Sequence, residues 1–200
     1  MKTFLRYIST AIFSVGLLAS SGASAALIEF TTRAAFDAAT TAQIVEPFTA
    51  PEGSYIALFS QTYNGINYPP FAYMIDPGYA PDLYQFGSGA ILLLSNDTSL
   101  SFAPVSAFAA DFAALGGDGS DITITIGGIE VVLATSPQEL TFHGFISTTP
   151  FTSISLASAA ELIVLDNVTR ASAATGIPEP RSFALFALAL AGLALARRRP

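Results

Sequence analysis

The sequence predicts an all-β domain, an antiparallel β-sandwich, on three observations. Short β-prone runs alternate with turn residues through the middle of the chain, at roughly ten-residue spacing. Ile122, Ile124 and Ile126 alternate with Thr123 and Thr125, the period-two signature of a strand with one buried face. Gly127-Gly128 then links that run to the next as a two-residue hairpin. Many short strands joined this way belong to sandwiches. One short N-terminal helix precedes them, and the domain is flanked by a signal peptide and a C-terminal hydrophobic helix.

Residues 1–25 read as the signal peptide. Lys2 and Arg6 give a positive start, residues 7–19 form an apolar core, and Ala23 and Ala25 supply the small residues before a cleavage after Ala25. The apolar core falls short of the roughly 20 residues a transmembrane helix needs. Export would permit disulfides, yet the chain has no cysteine, so the hydrophobic core must stabilise the fold.

Residues 26–176 form the predicted ectodomain. Thr32 is placed to N-cap a helix over 33–39, where Ala34, Ala35, Phe36 and Ala38 favour helix. Strands are predicted at 43–48, 55–59, 90–94, 99–102, 105–112, 121–126, 129–134, 139–147, 151–157 and 161–169. Only Arg33 and Arg170 are basic in this stretch, against fourteen acids, a net of −12. So acidic a body has no electrostatic footprint for DNA or RNA, and nucleic-acid binding is excluded.

Residues 177–200 form the tail. Pro178, Glu179 and Pro180 lead into an apolar stretch at 182–196, and Arg197, Arg198 and Arg199 follow. As a helix, that stretch covers about 22 Å at 1.5 Å per residue. A bilayer core is about 30 Å thick, so it spans with snorkelling arginines or local thinning. The arginines favour the cytoplasmic side and leave the acidic domain outside.

Candidate chemistry is sparse. His143 is the one histidine and sits in a predicted strand. No second histidine or cysteine exists to build a soft-metal site around it, and no Gly-x-Ser-x-Gly elbow occurs. Gly116-Gly117-Asp118-Gly119-Ser120-Asp121 is one copy of a calcium-type pattern that needs stacked neighbours, and it also reads as a flexible connection. Asp166 follows Leu162 and Val164 on one predicted strand face shared with Val168. A buried carboxylate must be hydrogen-bonded, paired or metal-bound, which leaves a structural Ca²⁺ and backbone amides both open for Asp166. Six of the seven tyrosines fall between Tyr55 and Tyr84, interleaved with Phe, Pro and Gly. Among them Tyr63, Tyr68, Tyr73, Tyr79 and Tyr84 are candidates for stacking on sugar rings, with core packing the alternative. A glycosidase needs two carboxylates, and the spacing of the acids selects no pair.

The tail resembles the PEP-CTERM sorting signal of Gram-negative exported proteins. The resemblance implies recognition of Pro178, Glu179 and Pro180, with retention by Arg197, Arg198 and Arg199, by an exosortase, a membrane-embedded transpeptidase. It implies an inner-membrane-anchored precursor that touches the membrane transiently, then a mature protein at the cell surface or in the extracellular matrix. Pro200 after the arginines departs from the pattern. The body is similar to ectodomains carrying such tails in FTTRAAFDAA, AFAADF and HGFISTTPFTSISLAS with LDNVT, which implies a jelly-roll-like sandwich. Leu-Asp-Asn-Val also resembles the last strand of jelly-roll carbohydrate-binding modules, where an aspartate helps hold structural Ca²⁺. The expected function is a non-enzymatic structural or adhesive role in an exopolysaccharide or biofilm matrix. The alternatives are a carbohydrate-binding module with an aromatic stacking surface and a small glycan-acting hydrolase.

Overall fold

Alternating apolar residues need a second set of strands to cover them. In the computed structural model they find it within one antiparallel sheet that joins all twelve strands of the described residues. The structure describes residues 26–46, 48–80, 86, 89–116, 121–135, 139–160 and 162–174. The predicted signal peptide with Ala23 and Ala25, the tail with Pro178, Glu179, Pro180 and Arg197 to Arg199, and Tyr84 lie outside the described residues.

The order is β1 (Leu27–Phe30), α1 (Arg33–Ala39), β2 (Thr40–Val45), β3 (Tyr55–Ala57), β4 (Thr62–Tyr63), β5 (Ile66–Asn67), β6 (Ala72–Ile75) and β7 (Ile91–Ser95). Then come β8 (Thr98–Leu115), β9 (Ile122–Ile126), β10 (Ile129–Leu133), β11 (Thr141–Ser158) and β12 (Leu162–Ala173). The sheet runs β10-β9-β11-β8-β12-β7-β6-β3, with β1 on β11, β2 on β12, and β5, which carries β4, on β8. All-β is therefore correct, with α1 as the helix among the described residues.

The predicted hairpin is present. Ile126 pairs with Ile129, and Gly127 and Gly128 have φ of +58° and +82°, the two positive angles that a two-residue turn matching strand twist requires.

Two pairs of predicted strands are fused. The runs at 99–102 and 105–112 are parts of the 18-residue β8, and those at 139–147 and 151–157 are parts of the 18-residue β11. Pro104 and Pro150 look like breaks in the sequence. They lie where the β8–β11 ladder is already interrupted: Pro150 between the pairs Ala107–Ile146 and Val105–Phe151, and Pro104 in the next shift, between Val105–Phe151 and Ser101–Ser153. A residue without an amide donor is tolerated at such an irregularity. The two halves of each long strand then serve different neighbours: one end of the β8–β11 pair meets β1 and β12, the other β5 and β9.

One buried cluster gathers both ends. It includes Leu100, Phe102, Ile122, Ile124, Ile126, Ile154 and Leu156 from the β9 side, and Phe108, Phe112, Phe145, Leu92, Leu94, Ile163 and Leu165 from the β12 side. The opposite face of the β12 side is covered twice over. Ile91, Leu93, Ala113 and Val164 form a second cluster with Phe86. Ala107, Ala109, Ile146 and Ala171 form a third under Phe36 of α1. The expected face of Leu162, Val164, Asp166 and Val168 is not continuous. Asn167, with φ of +49°, forms a bulge between the pairs Asp166–Asp111 and Thr169–Ala109. The extra residue turns Val168 into the main core, away from Leu162 and Val164.

Helix α1 is held by its one buried side chain and by backbone. Thr32 stands at the N-cap, but its hydroxyl caps nothing; its carbonyl accepts from the Phe36 amide at 3.2 Å. The Thr40 hydroxyl donates to the Phe36 carbonyl at 2.9 Å and closes the other end. Phe36 meets Phe30 and Phe142 edge-on, with ring centroids 6.0 and 6.1 Å away. Gly144 makes room beneath it, because a Cβ there would stand 2.5 Å from Phe36 Cδ2. Gly144→Ala is expected to cost about 1–3 kcal/mol through overpacking, read as a lower urea midpoint; an unchanged midpoint would show that α1 can lift without loss.

A charged cluster is buried where β12 meets the β4–β5 turn. Arg170 donates to the carbonyls of Asn64 at 2.6 Å and Gly65 at 3.1 Å, and the Asn64 amide donates to Glu46 at 2.7 Å. Glu46 and Arg170 are both among the buried residues.

Candidate functional site

Exposed aromatic side chains are costly to leave in water, and grouped ones mark a contact surface. The outer edge of the sheet carries such a group. Register places Tyr55 opposite Ile75 and Tyr73 opposite Ala57 and Leu93, while Leu93 pairs with Val164. Because side chains alternate along a strand, Tyr55, Tyr73, Ile75, Leu93 and Leu162 share one face.

Tyr73 is the hub. Its ring meets those of Tyr55, Phe59 and Phe71 edge-on, at centroid distances of 5.6, 5.1 and 4.9 Å. Tyr79 meets Tyr55 at 5.0 Å. Tyr55, Phe71 and Tyr79 remain 49%, 42% and 37% exposed. With Ile75, Leu93 and Leu162 they line an open cavity of about 250 Å³. The buried Ile75 and Leu93 close its inner end.

Asp76, next along from β6, fixes the rim. Its Oδ1 accepts from the amides of Gly53 and Gly78, both at 2.9 Å, and its carbonyl accepts from the Tyr79 amide at 2.9 Å. Asp76→Ala is expected to release the two rim loops and speed amide exchange at Gly53 and Tyr79 while leaving exchange in β8 unchanged. Equal exchange at all three sites would contradict the rim role.

The tyrosines expected to stack on sugar separate into distinct environments. Tyr73 and Tyr79 line the cup. Tyr63 is half-buried against the main core. Tyr68 is 4% exposed, with its hydroxyl beside the buried Glu46–Arg170 cluster, so it is a core residue. Burial first, and the Glu46 charge second, push the Tyr68 phenol far above its ordinary pKa, so it stays protonated. Tyr55 and Phe71 were hidden among the segment's other aromatics. The short 72–75 strand, whose alternation would have singled out Tyr73, is obscured by the prolines just before it.

Asp166 lies across from Asp111, on the β12–β8 ladder. The Asn167 amide donates to Asp166 Oδ1 at 2.6 Å, while Asp111 Oδ2 accepts from the Asn167 side chain at 2.7 Å and from Arg33 at 3.4 Å. The Arg33 guanidinium also lies over the Phe142 ring, 4.6 Å from its centroid. Calcium takes six to eight oxygens. No group of three or more His, Cys, Asp or Glu gathers among the described residues, and the cation beside Asp111 is Arg33. Around Asp166 the described carboxylates are thus Asp166 and Asp111, the second already engaged by Arg33 and Asn167. Neither aspartate is among the described residues that line the cup.

Burial first, then the Asp111 charge, raises the Asp166 carboxyl above its ordinary 3.8, against the Asn167 amide and Arg33. A carboxyl raised on folding binds its proton more tightly in the folded state. Stability therefore falls as pH climbs from 3.8 through the raised value. Asp166→Asn keeps an acceptor for the Asn167 amide and is expected to flatten that acid-side slope and raise the melting temperature at neutral pH. An unaltered slope would contradict this sign.

His143 is buried in β11, where its Nδ1 lies 2.9 Å from Glu29 of β1 and its ring meets Phe112 edge-on. It ties the first strand to the core. Of the predicted calcium-type loop, Gly116 and Asp121 are described, and the Asp121 carbonyl accepts from the Ser158 hydroxyl at 3.1 Å. Among the described residues no helix is long and apolar enough to cross a membrane; the stretch at 182–196 lies outside them. No protein-family model, no curated protein and no solved structure matches the chain.

Proposed function

We propose that this chain is an exported, non-enzymatic surface or matrix protein, sorted by its C-terminal PEP-CTERM-like signal and adhesive toward exopolysaccharide. The observation that carries the adhesive part is the exposed aromatic cup around Tyr73. Aromatic faces and edges take the C–H side of a sugar ring while the phenolic rim stays wet. Sorting is supported by the sequence at both ends: the segment 1–25 for export, then Pro178-Glu179-Pro180, the apolar 182–196 and Arg197 to Arg199 for an exosortase-type transpeptidase. Among the described residues the strands run from Leu27 of β1 to Ala173 of β12.

In this reading the two ends of the long β8–β11 pair close over the main core as a jelly-roll-like sandwich, and β3 and β6 hold the cup at one edge. The test is calorimetric titration of the protein with exopolysaccharide from the producing cells. Heat is expected from the wild type, and Tyr73→Ala is expected to weaken it at least about tenfold, near the 1–3 kcal/mol typical of one aromatic stacking contact. No heat from the wild type would overturn the adhesive reading.

A further inference from the structure

The cup has aromatic walls and an aliphatic inner end, and that contrast selects among sugars. Among the described lining residues, the polar side-chain atoms are the phenolic hydroxyls of Tyr55, Tyr73 and Tyr79. Ile75, Leu93 and Leu162 offer neither donor nor acceptor. The neighbouring charged group, Asp76, has its Oδ1 held by the amides of Gly53 and Gly78. A sugar hydroxyl pressed against these three side chains loses water and gains no partner from them, whereas a methyl group there gains contact.

Size and charge narrow the ligand further. The cavity, about 250 Å³, is smaller than ordinary drug-sized pockets and suits one ring rather than a length of chain. The body around it carries a net charge of −12 over residues 26–176, which repels an anionic sugar.

We infer that the cup takes a single neutral sugar residue bearing a methyl group, as in a 6-deoxy or an acetylated residue, with the methyl against Ile75, Leu93 and Leu162. This rests on the glycan-adhesive reading above. The ring packs on Tyr55 and Tyr73, and its remaining hydroxyls face the rim and water.

The experiment titrates the purified protein with two matched pairs while following tyrosine fluorescence. L-rhamnose and L-mannose differ by the hydroxyl on carbon six; N-acetylglucosamine and N-formylglucosamine differ by the acetyl methyl. In at least one pair the methyl-bearing member is expected to bind about tenfold more tightly, the range by which an apolar site rejects an unwanted hydroxyl. Which pair responds tells the deoxy from the acetyl source. Leu162→Asn is expected to narrow that gap by supplying a partner. Phe71→Ala, on a wall that is 42% exposed, is expected to weaken both members together, with the unfolding midpoint measured alongside. Equal affinities within both pairs would overturn the methyl selection and leave the adhesive reading standing. Silence toward all four sugars and toward the native exopolysaccharide would overturn both, and binding untouched by Phe71→Ala would remove the cup as the site.

Discussion

Arg170→Ala should lower stability by about 3–5 kcal/mol, the usual consequence of leaving a buried charge cluster without one of its members. Arg170 is 6% exposed and Glu46 1%, and their nearest described link is Asn64, which gives its carbonyl to Arg170 and its side-chain amide to Glu46. Removing the guanidinium strands the Asn64 and Gly65 carbonyls and takes away the cation that Asn64 links to the buried Glu46. The Glu46 amide also donates to the Val168 carbonyl at 2.7 Å, so the damage reaches the bulge of β12. Urea unfolding of the variant is the measurement. A change below about 1 kcal/mol, the ordinary range for exposed ion pairs, would mean that water already serves these groups. Glu46→Gln provides the control, since it keeps an acceptor for Asn64 and should cost less.

Phe36→Ala should cost about 3–5 kcal/mol, the range for truncating a fully buried phenylalanine. Phe36 is the one buried residue of α1 and is 0% exposed. It sits over Gly144, Ala107, Ala109 and Ala171, residues too small to close the space it would leave. With seven residues and no side-chain cap at Thr32, α1 has little stability of its own. The variant should lose helical signal and stability together. Loss of neither would show that α1 is an ornament on the sheet rather than its cover. The same geometry explains why these positions are alanine and glycine: a larger side chain would lift the helix from the sheet.

The parts of the fold legible in the sequence are those governed by local chemistry. Gly127-Gly128 could serve only a tight turn, and Ile122 to Ile126 could alternate only as a strand, so both were readable and are present. The helix bounds at 33–39 were readable from alanine spacing. The fusion of the runs at 99–102 and 105–112, and of those at 139–147 and 151–157, was not readable, because whether Pro104 or Pro150 breaks a strand depends on whether its partner strand is shifted there. The bulge at Asn167 was hidden for the same reason: one inserted residue reverses every later side chain, and nothing local announces it. Tyr68 and Tyr73 look alike in sequence, yet the main core buries the first and an exposed sheet edge presents the second. Short β3 and β6 carry the cup, and strands of three and four residues leave little pattern to read.

The most direct test of the account is the intact mass of the native protein, recovered from the producing organism's envelope and matrix. The expected species begins at Ala26 and has lost the C-terminal apolar stretch with Arg197 to Arg199, leaving the β-sheet domain as the delivered product. Recovery of the whole 200-residue chain from the cytosol, with Met1 and Pro200 both in place, would contradict it.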